Sequence, residues 1–323
     1  MAATASKETP ARARQLSRRT ALALLVLANA LWAGTYTAGK IALAELSPVE
    51  LNALRFSLAA LFLAPALIRG WRHIPRDRRS LLALAQLTLL GFVVNKAFEY
   101  FGLALSTASD VALLIATESL FTALLSWTLL RERVRRGGVF SLLLGLAGVY
   151  LIVERGLAPN LGGAAGAGRV VGDLLVVLSL LIEAAYTVRG KMAVASLPPL
   201  LFVGVTITSS LFVWIPAGLV NAAHSGMPHV SLGGWLAVLY MAAIATVVGY
   251  WLWFRALTAL DASAAAPTLF IQPLLGAALG ILLLHDTLSW ATWLGGALIS
   301  LSLLFVVRSS HLPRAVVLAE STP

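Results

Sequence analysis

The chain has 323 residues, 59% hydrophobic and 12% charged, with a mean hydropathy of +0.88 and no cysteine. Charged residues make up about a quarter of an average soluble domain, so this composition excludes a soluble globular protein and points to an integral membrane protein. The formal charge of +10 does not signify nucleic acid: the Lys and Arg stand in short blocks between apolar runs, the arrangement of membrane orientation signals.

Residues 1–19 are polar and basic, with Lys7, Arg12, Arg14, Arg18 and Arg19, and are expected to form a cytoplasmic arm. Ala28-Asn29-Ala30 resembles a leader-peptide cleavage site. The apolar run continues to about Leu46, however, so an uncleaved first helix is expected. Crossing the hydrocarbon core takes about 20 apolar residues. Ten stretches qualify: 20–43, 48–68, 81–103, 109–130, 138–154, 172–189, 199–220, 232–254, 262–284 and 290–307. The Gly/Ala-rich segment 155–171 reads as a linker, and 308–323 as a cytoplasmic tail. With the N-terminus inside, nineteen of twenty-four Lys and Arg fall on the inner side, Arg155 and Arg169 on the outer side, and Lys40, Arg55 and Lys96 within spans. That bias predicts both termini in the cytoplasm and an even number of helices in the cell (inner) membrane.

A weak internal repeat runs through the chain. Gly39-Lys40 and Leu46-Ser47-Pro48 align with Gly190-Lys191 and Leu197-Pro198-Pro199, and Arg131-Glu132-Arg133-Val134 aligns with His285-Asp286-Thr287-Leu288. Each unit, 20–154 and 172–307, holds five spans. An odd number makes the second unit enter the bilayer from the opposite face. The expected fold is therefore all-α, ten transmembrane helices as two inverted five-helix repeats, an organisation of secondary transporters that bind solute near the midplane.

Several motifs resemble the EamA-like branch of the drug/metabolite transporters. They are Leu31-Trp32-Ala33-Gly34 followed by Lys40; Ala53-Leu54-Arg55-Phe56 after Ser47-Pro48; Leu129-Leu130-Arg131-Glu132-Arg133; and Phe270-Ile271-Gln272-Pro273-Leu274-Leu275-Gly276. The resemblance covers about 20–307. It implies a ten-helix bundle, each repeat an EamA-like unit, that moves small metabolites such as amino acids or related compounds. Relatives usually carry Pro in the middle of the fourth span, as this chain has Pro273 in the ninth; Ser119 stands at the matching position, after Glu118.

Candidate site residues come from polar faces inside apolar spans. A carboxylate at the centre of a span costs about 2.5–3.5 kcal/mol on insertion scales, so Glu118 needs a reason to be there. At a rise of about 1.5 Å per residue, Glu118 lies roughly 14 Å and Glu183 roughly 16 Å from the outer ends of their spans, both near the midplane. Asn29, Trp32, Tyr36 and Lys40 share one helix face, and so do Ser179, Glu183, Tyr186 and Thr187. Asn95, Lys96 and Glu99 cluster on another, and the repeat sets Gln272 opposite Glu118. These faces should turn into the bundle, because lipid offers no hydrogen-bond partner. The expected solute-binding set is Glu118, Glu183, Asn29, Trp32, Tyr36, Lys96, Glu99, Tyr186 and Gln272.

Glu118 admits two roles, and Glu183 likewise: it binds a substrate ammonium or carries a coupling proton, or it is a neutral or salt-bridged core residue, the salt bridge being to Lys96 or Arg55. Lys96 and Glu99 read as a structural ion pair, Lys40 and Arg55 as interfacial anchors, structural partners or cations that bind a substrate carboxylate, and Asp110 as a helix N-cap. No metal site, cofactor or catalytic residue is assigned, since the five His show no ligand spacing and no phosphate loop or nucleophile elbow is present. The expected activity is secondary transport, as an exporter, of a small organic solute by a monomer or homodimer, with protons as a coupling ion. The alternative is an intramembrane enzyme or flippase acting on a lipid-linked substrate.

Overall fold

The computed structural model describes residues 16–115, 117–129, 136–154, 163–194, 197–260, 265, 268–269 and 271–309. Among these, every regular element is helical. Helix α1 (Arg18–Ala33) starts at Ser17, whose hydroxyl accepts from the Thr20 amide. Only Gly34 separates it from α2 (Thr35–Leu43). A Cβ on Gly34 would lie 2.6 Å from the Tyr240 hydroxyl, which donates to the Leu31 carbonyl. Helix α3 (Pro48–Gly70) opens with Pro at its first position and a capping box in which Ser47 and Glu50 satisfy each other's backbone amides.

The third predicted span is α4 (Arg78–Thr88), a π-helical stretch Leu89–Val94, and α5 (Asn95–Leu105). The eighth has the same construction: α11 (Leu232–Leu239), a π-helical stretch Tyr240–Gly249, and α12 (Tyr250–Leu257). The fourth span, expected to be continuous over 109–130, is instead interrupted. It consists of α6 (Ala108–Leu114) and α7 (Thr117–Leu129), with a turn at Ile115. Thr117 donates its hydroxyl to the Leu114 carbonyl at the break, an acceptor that the interruption frees. Helices α8 (Arg136–Glu154), α9 (Gly163–Ala193) and α10 (Pro199–Ser225) follow. Helix α9 begins at Gly163, so the second half of the predicted linker is already helical. The chain continues with α13 (Ile271–Leu284) and α14 (Trp290–Ser309).

Six of these helical segments are long and apolar enough to cross a bilayer: Arg18–Leu43, Pro48–His73, Arg78–Leu105, Gly166–Gly190, Pro199–Ser225 and Leu232–Leu257. Leu143–Ile152 and Ile271–Leu284 are apolar but shorter. Leu61, Ile68, Phe212 and Leu219 are exposed, as lipid-facing side chains should be.

The helices pair across the two halves. α3 packs along α10, and α8 along α14. α9 lies against α5 and α7, whereas α1 lies against α12 and α13. The first helix of each half thus leaves its own half and joins the other. Small residues permit the approach. A Cβ on Gly102 would sit 2.6 Å from the Gly172 carbonyl oxygen, and one on Gly172 would sit 2.8 Å from that of Gly102. Gly148 and Gly295 meet in the same reciprocal way at 2.6 Å. Without a hydrophobic drive between helices in lipid, such close backbone packing supplies much of their association.

Candidate functional site

α1 and α2, α3, α5, α7, α9, α12 and α13 converge on a cavity of ≈ 50 Å³. Trp32, Tyr36, Tyr250 and Trp253 line it with aromatic surface; Lys96, Glu99, Glu118, Glu183, Arg55 and Gln272 supply polar groups. One enclosed water needs about 10–15 Å³, so the cavity has room for a few waters.

The sequence assembles each wall differently. On α5, just after the π-helical stretch, Lys96 Nζ reaches Glu99 at 2.5 Å and Glu183 of α9 at 3.4 Å. The Tyr250 hydroxyl donates to the other Glu183 oxygen at 3.3 Å, and the Lys96 ammonium stands 5.9 Å from the Tyr250 ring. Asn95 donates to the Ser179 carbonyl at 2.7 Å and pins α5 to α9. The ion pair expected between Lys96 and Glu99 is therefore present, widened by Glu183 into a triad.

Glu118 occupies the first turn of α7, 6% exposed. Its own amide donates to the Ile115 carbonyl at 3.0 Å, and the first turn of a helix is a favourable setting for a carboxylate. Among the described residues neither Lys96 nor Arg55 forms an ion pair with Glu118; the proposed pairing with either is not what the structure holds. Gln272, at the start of α13, donates to Asn29 Oδ1 at 2.6 Å. Asn29 in turn donates to the Leu25 carbonyl at 2.8 Å and the Thr268 hydroxyl at 3.0 Å. Asn29 is thus a support behind Gln272 and does not line the cavity. Tyr186 does not line it either: its ring is enclosed by Phe92, Phe202, Tyr250 and Phe254, with centroids 5.6 Å from Phe92 and 5.7 Å from Phe254.

Arg55 corrects its expected place. It is 2% exposed and lines the cavity, so it is no interfacial anchor. Its Nε donates to Thr246 Oγ1 at 2.7 Å, and Nη1 donates to the Tyr100 hydroxyl. The Thr246 hydroxyl donates to the Met241 carbonyl five residues back, a bond that the π-helical winding makes available. Trp32 donates to the Ala245 carbonyl at 2.8 Å and packs against Tyr250 and Trp253 at 5.1 and 5.4 Å. Tyr250, Trp253, Thr35 and Thr187 line the cavity as well. Their signal in the sequence was weak, because an aromatic or a threonine in an apolar span is ordinary.

Beyond the cavity, polar contacts tie helix ends together. Lys40 Nζ donates to the Leu103 and Ser106 carbonyls at 3.1 and 2.7 Å, placing a cation at the C-terminus of α5. Arg169 pairs with Asp173 at 2.6 Å and with Asp110 at 4.0 Å. Asp110 is in the first turn of α6 as expected, but the cap is Thr107, whose hydroxyl accepts from the Asp110 amide. The Ser109 amide donates to Asp286 at 2.9 Å. Glu45 accepts from the Ser231 hydroxyl at 2.6 Å and amide at 2.7 Å, and these bonds hold its carboxyl below the ordinary value.

A helical membrane bundle that closes around a small charged cavity is built as a solute transporter is. The sequence model of the EamA-like transporter family matches residues 19–154 and again 170–308, and the chain belongs to that family. An uncharacterized transporter of Archaeoglobus fulgidus is 28% identical over 84% of this chain and 92% of its own. A probable amino-acid metabolite efflux pump of Escherichia coli K12 is 27% identical over 86% of this chain and 91% of its own. A solved structure 20% identical in sequence covers 92% of this chain and 100% of that chain with a TM-score of 0.64, which shows a shared fold.

Proposed function

We propose that the protein is a secondary transporter that exports a small amine-bearing metabolite, an amino acid or a close relative, from the cytoplasm. The observation that carries this reading is Glu118, a carboxylate inside the cavity that no cation of the described residues pairs with. A buried carboxylate calls for a cation or a proton, and a substrate ammonium and a coupling proton are alternative occupants of one such group. The name of the Escherichia coli relative, an amino-acid metabolite efflux pump, supports the substrate class and the direction.

The two family matches support two five-helix units, and their inverted arrangement as ten spans with both termini cytoplasmic remains part of this proposal. The helix pairing suggests what moves. One body would be α4, α5, α6, α7 and α9, the other α11, α12, α13, α1 and α2, each drawing its first helix from the other half. Rocking these bodies exposes the cavity to one side and then the other. An intramembrane enzyme finds less support, since the relatives are named as transporters.

Glu118→Gln in proteoliposomes tests the proposal. Amino-acid flux in the variant is expected to fall about ten- to a hundredfold, the worth of a charge-assisted hydrogen bond, and to lose its dependence on pH. Wild-type flux with an unchanged pH profile would remove Glu118 from the mechanism.

A further inference from the structure

The cavity holds a second unanswered charge. Lys96 is shared between Glu99 and Glu183, but Arg55 is met by neutral groups alone: the Thr246 hydroxyl at Nε, the Tyr100 hydroxyl at Nη1, and the faces of Phe56 and Tyr100, each 5.3 Å away. No carboxylate among the described residues pairs with it. Two of its five N–H donors are occupied, and Nη2 has no partner among the described residues. A guanidinium that is buried and held through Nε and Nη1 turns its Nη2 amino group, with both hydrogens unengaged, to an anion.

Leaving such a group unpaired is costly in a dry interior. A residue kept only for packing gains nothing from that charge, whereas a residue that receives an anion from the substrate does. Its mounting also has the stiffness that recognition requires. Thr246 is oriented by its own bond to the Met241 carbonyl, so its lone pair rather than its proton meets Nε. Tyr100 is completely buried on α5, next to Glu99.

We infer that Arg55 binds the carboxylate of the transported solute, while Glu118 takes the ammonium across the same cavity. This rests on the transporter reading and deepens it. The solute class becomes a zwitterion bearing both groups, with its apolar remainder against Trp32, Tyr250 and Trp253. Decarboxylated amines, which Glu118 alone would admit, are selected against. Around the cavity Arg55 and Lys96 face three carboxylates, Glu99, Glu118 and Glu183. A zwitterion adds no net charge to that set while giving both unpaired groups a partner.

Three probes of common shape separate the ends: L-phenylalanine, phenethylamine, which lacks the carboxylate, and 3-phenylpropionate, which lacks the amine. Each is measured as a competitor and as a flux in proteoliposomes of the full chain. The wild type should favour phenylalanine over phenethylamine by about ten- to a hundredfold. Arg55→Gln should abolish that preference by weakening phenylalanine alone, leaving phenethylamine where it was. Arg55→Lys, which keeps the charge and loses the guanidinium, should fall between. A purely structural role would weaken both probes together, and that result overturns the inference. An equal wild-type affinity for phenylalanine and phenethylamine overturns it as well. Wild-type flux of none of the three overturns the amino-acid reading and this one with it. If thermal unfolding shows that neither Arg55 variant folds, Thr246→Val replaces them. Freeing Nε should cost phenylalanine selectively, and an equal loss for phenethylamine counts against the inference.

Discussion

Lys96 is the residue on which most of the cavity's charge depends. Its ammonium lies within 2.5 Å of Glu99 and 3.4 Å of Glu183, and all three side chains are largely out of solvent. Lys96→Met takes from Glu99 and Glu183 the cation they share, which is expected to destabilise the fold by about 3–5 kcal/mol. Thermal unfolding in detergent measures this. The double variant Lys96→Met with Glu99→Gln should recover part of the loss, because one of the stranded charges is gone. Much at this scale was legible. An ionisable residue inside an apolar run stands out whatever the fold, which is why Glu118, Glu183, Lys96 and Glu99 could be named from the chain alone. Asn29 and Tyr186 sat on the right helices, but facing was inferred from spacing. The pairing of Asn29 with Gln272 spans 243 positions, and no local pattern encodes it.

At the level of single helices, the features that aim the site are departures from regular α geometry. The π-helical stretches Leu89–Val94 and Tyr240–Gly249 each stand immediately before a cluster of lining residues, Asn95-Lys96-Glu99 and Tyr250-Trp253. A wider turn shifts the angular register of everything after it. Hydrophobic periodicity does not report an i→i+5 turn in a helix that is apolar on most sides, so neither stretch was foreseen. The interruption at Ile115 escaped for the same reason, since it contains no Gly or Pro. The spacing of α13 from α6 depends instead on a residue type that is readable. A Cβ on Gly276 would lie 2.7 Å from the Ala112 Cβ and 3.2 Å from the Ala33 carbonyl oxygen. Gly276→Ala should therefore push α13 away from its neighbours and cost about 1–3 kcal/mol, as overpacking does. A lowered unfolding temperature and reduced flux would show it; an unchanged protein would mean that the helices are free to part there without loss.

For the molecule as a whole, the exchange of first helices between halves determines which contacts the proposed rocking of two bodies would break. Ser109 bonded to Asp286 joins α6 to the segment beyond α13, and so bridges the two bodies. Glu45 bonded to Ser231 joins α2 to α11 inside one body. The chain has no native cysteine, so introduced pairs are the only thiols. Cross-linking Ser109→Cys with Asp286→Cys should halt transport, whereas cross-linking Glu45→Cys with Ser231→Cys should leave it running. The reverse outcome would show that the moving bodies are divided elsewhere. The six long apolar helices and the doubling were accessible from hydropathy and the Gly-Lys…Leu-x-Pro echo. The exchange was not, because a repeat in sequence says nothing about which copy a helix packs against.

That exchange reaches back to synthesis. Asn29 enters the bilayer with the first helix, but Gln272 is made 243 residues later. At about 5–20 residues per second the ribosome needs roughly 12–50 s to deliver it. Throughout that interval the nascent first helix carries an amide in lipid without its eventual mate. A chain stopped after its first half would carry that defect permanently, and should be cleared by cellular quality control, never accumulating as a working half-transporter.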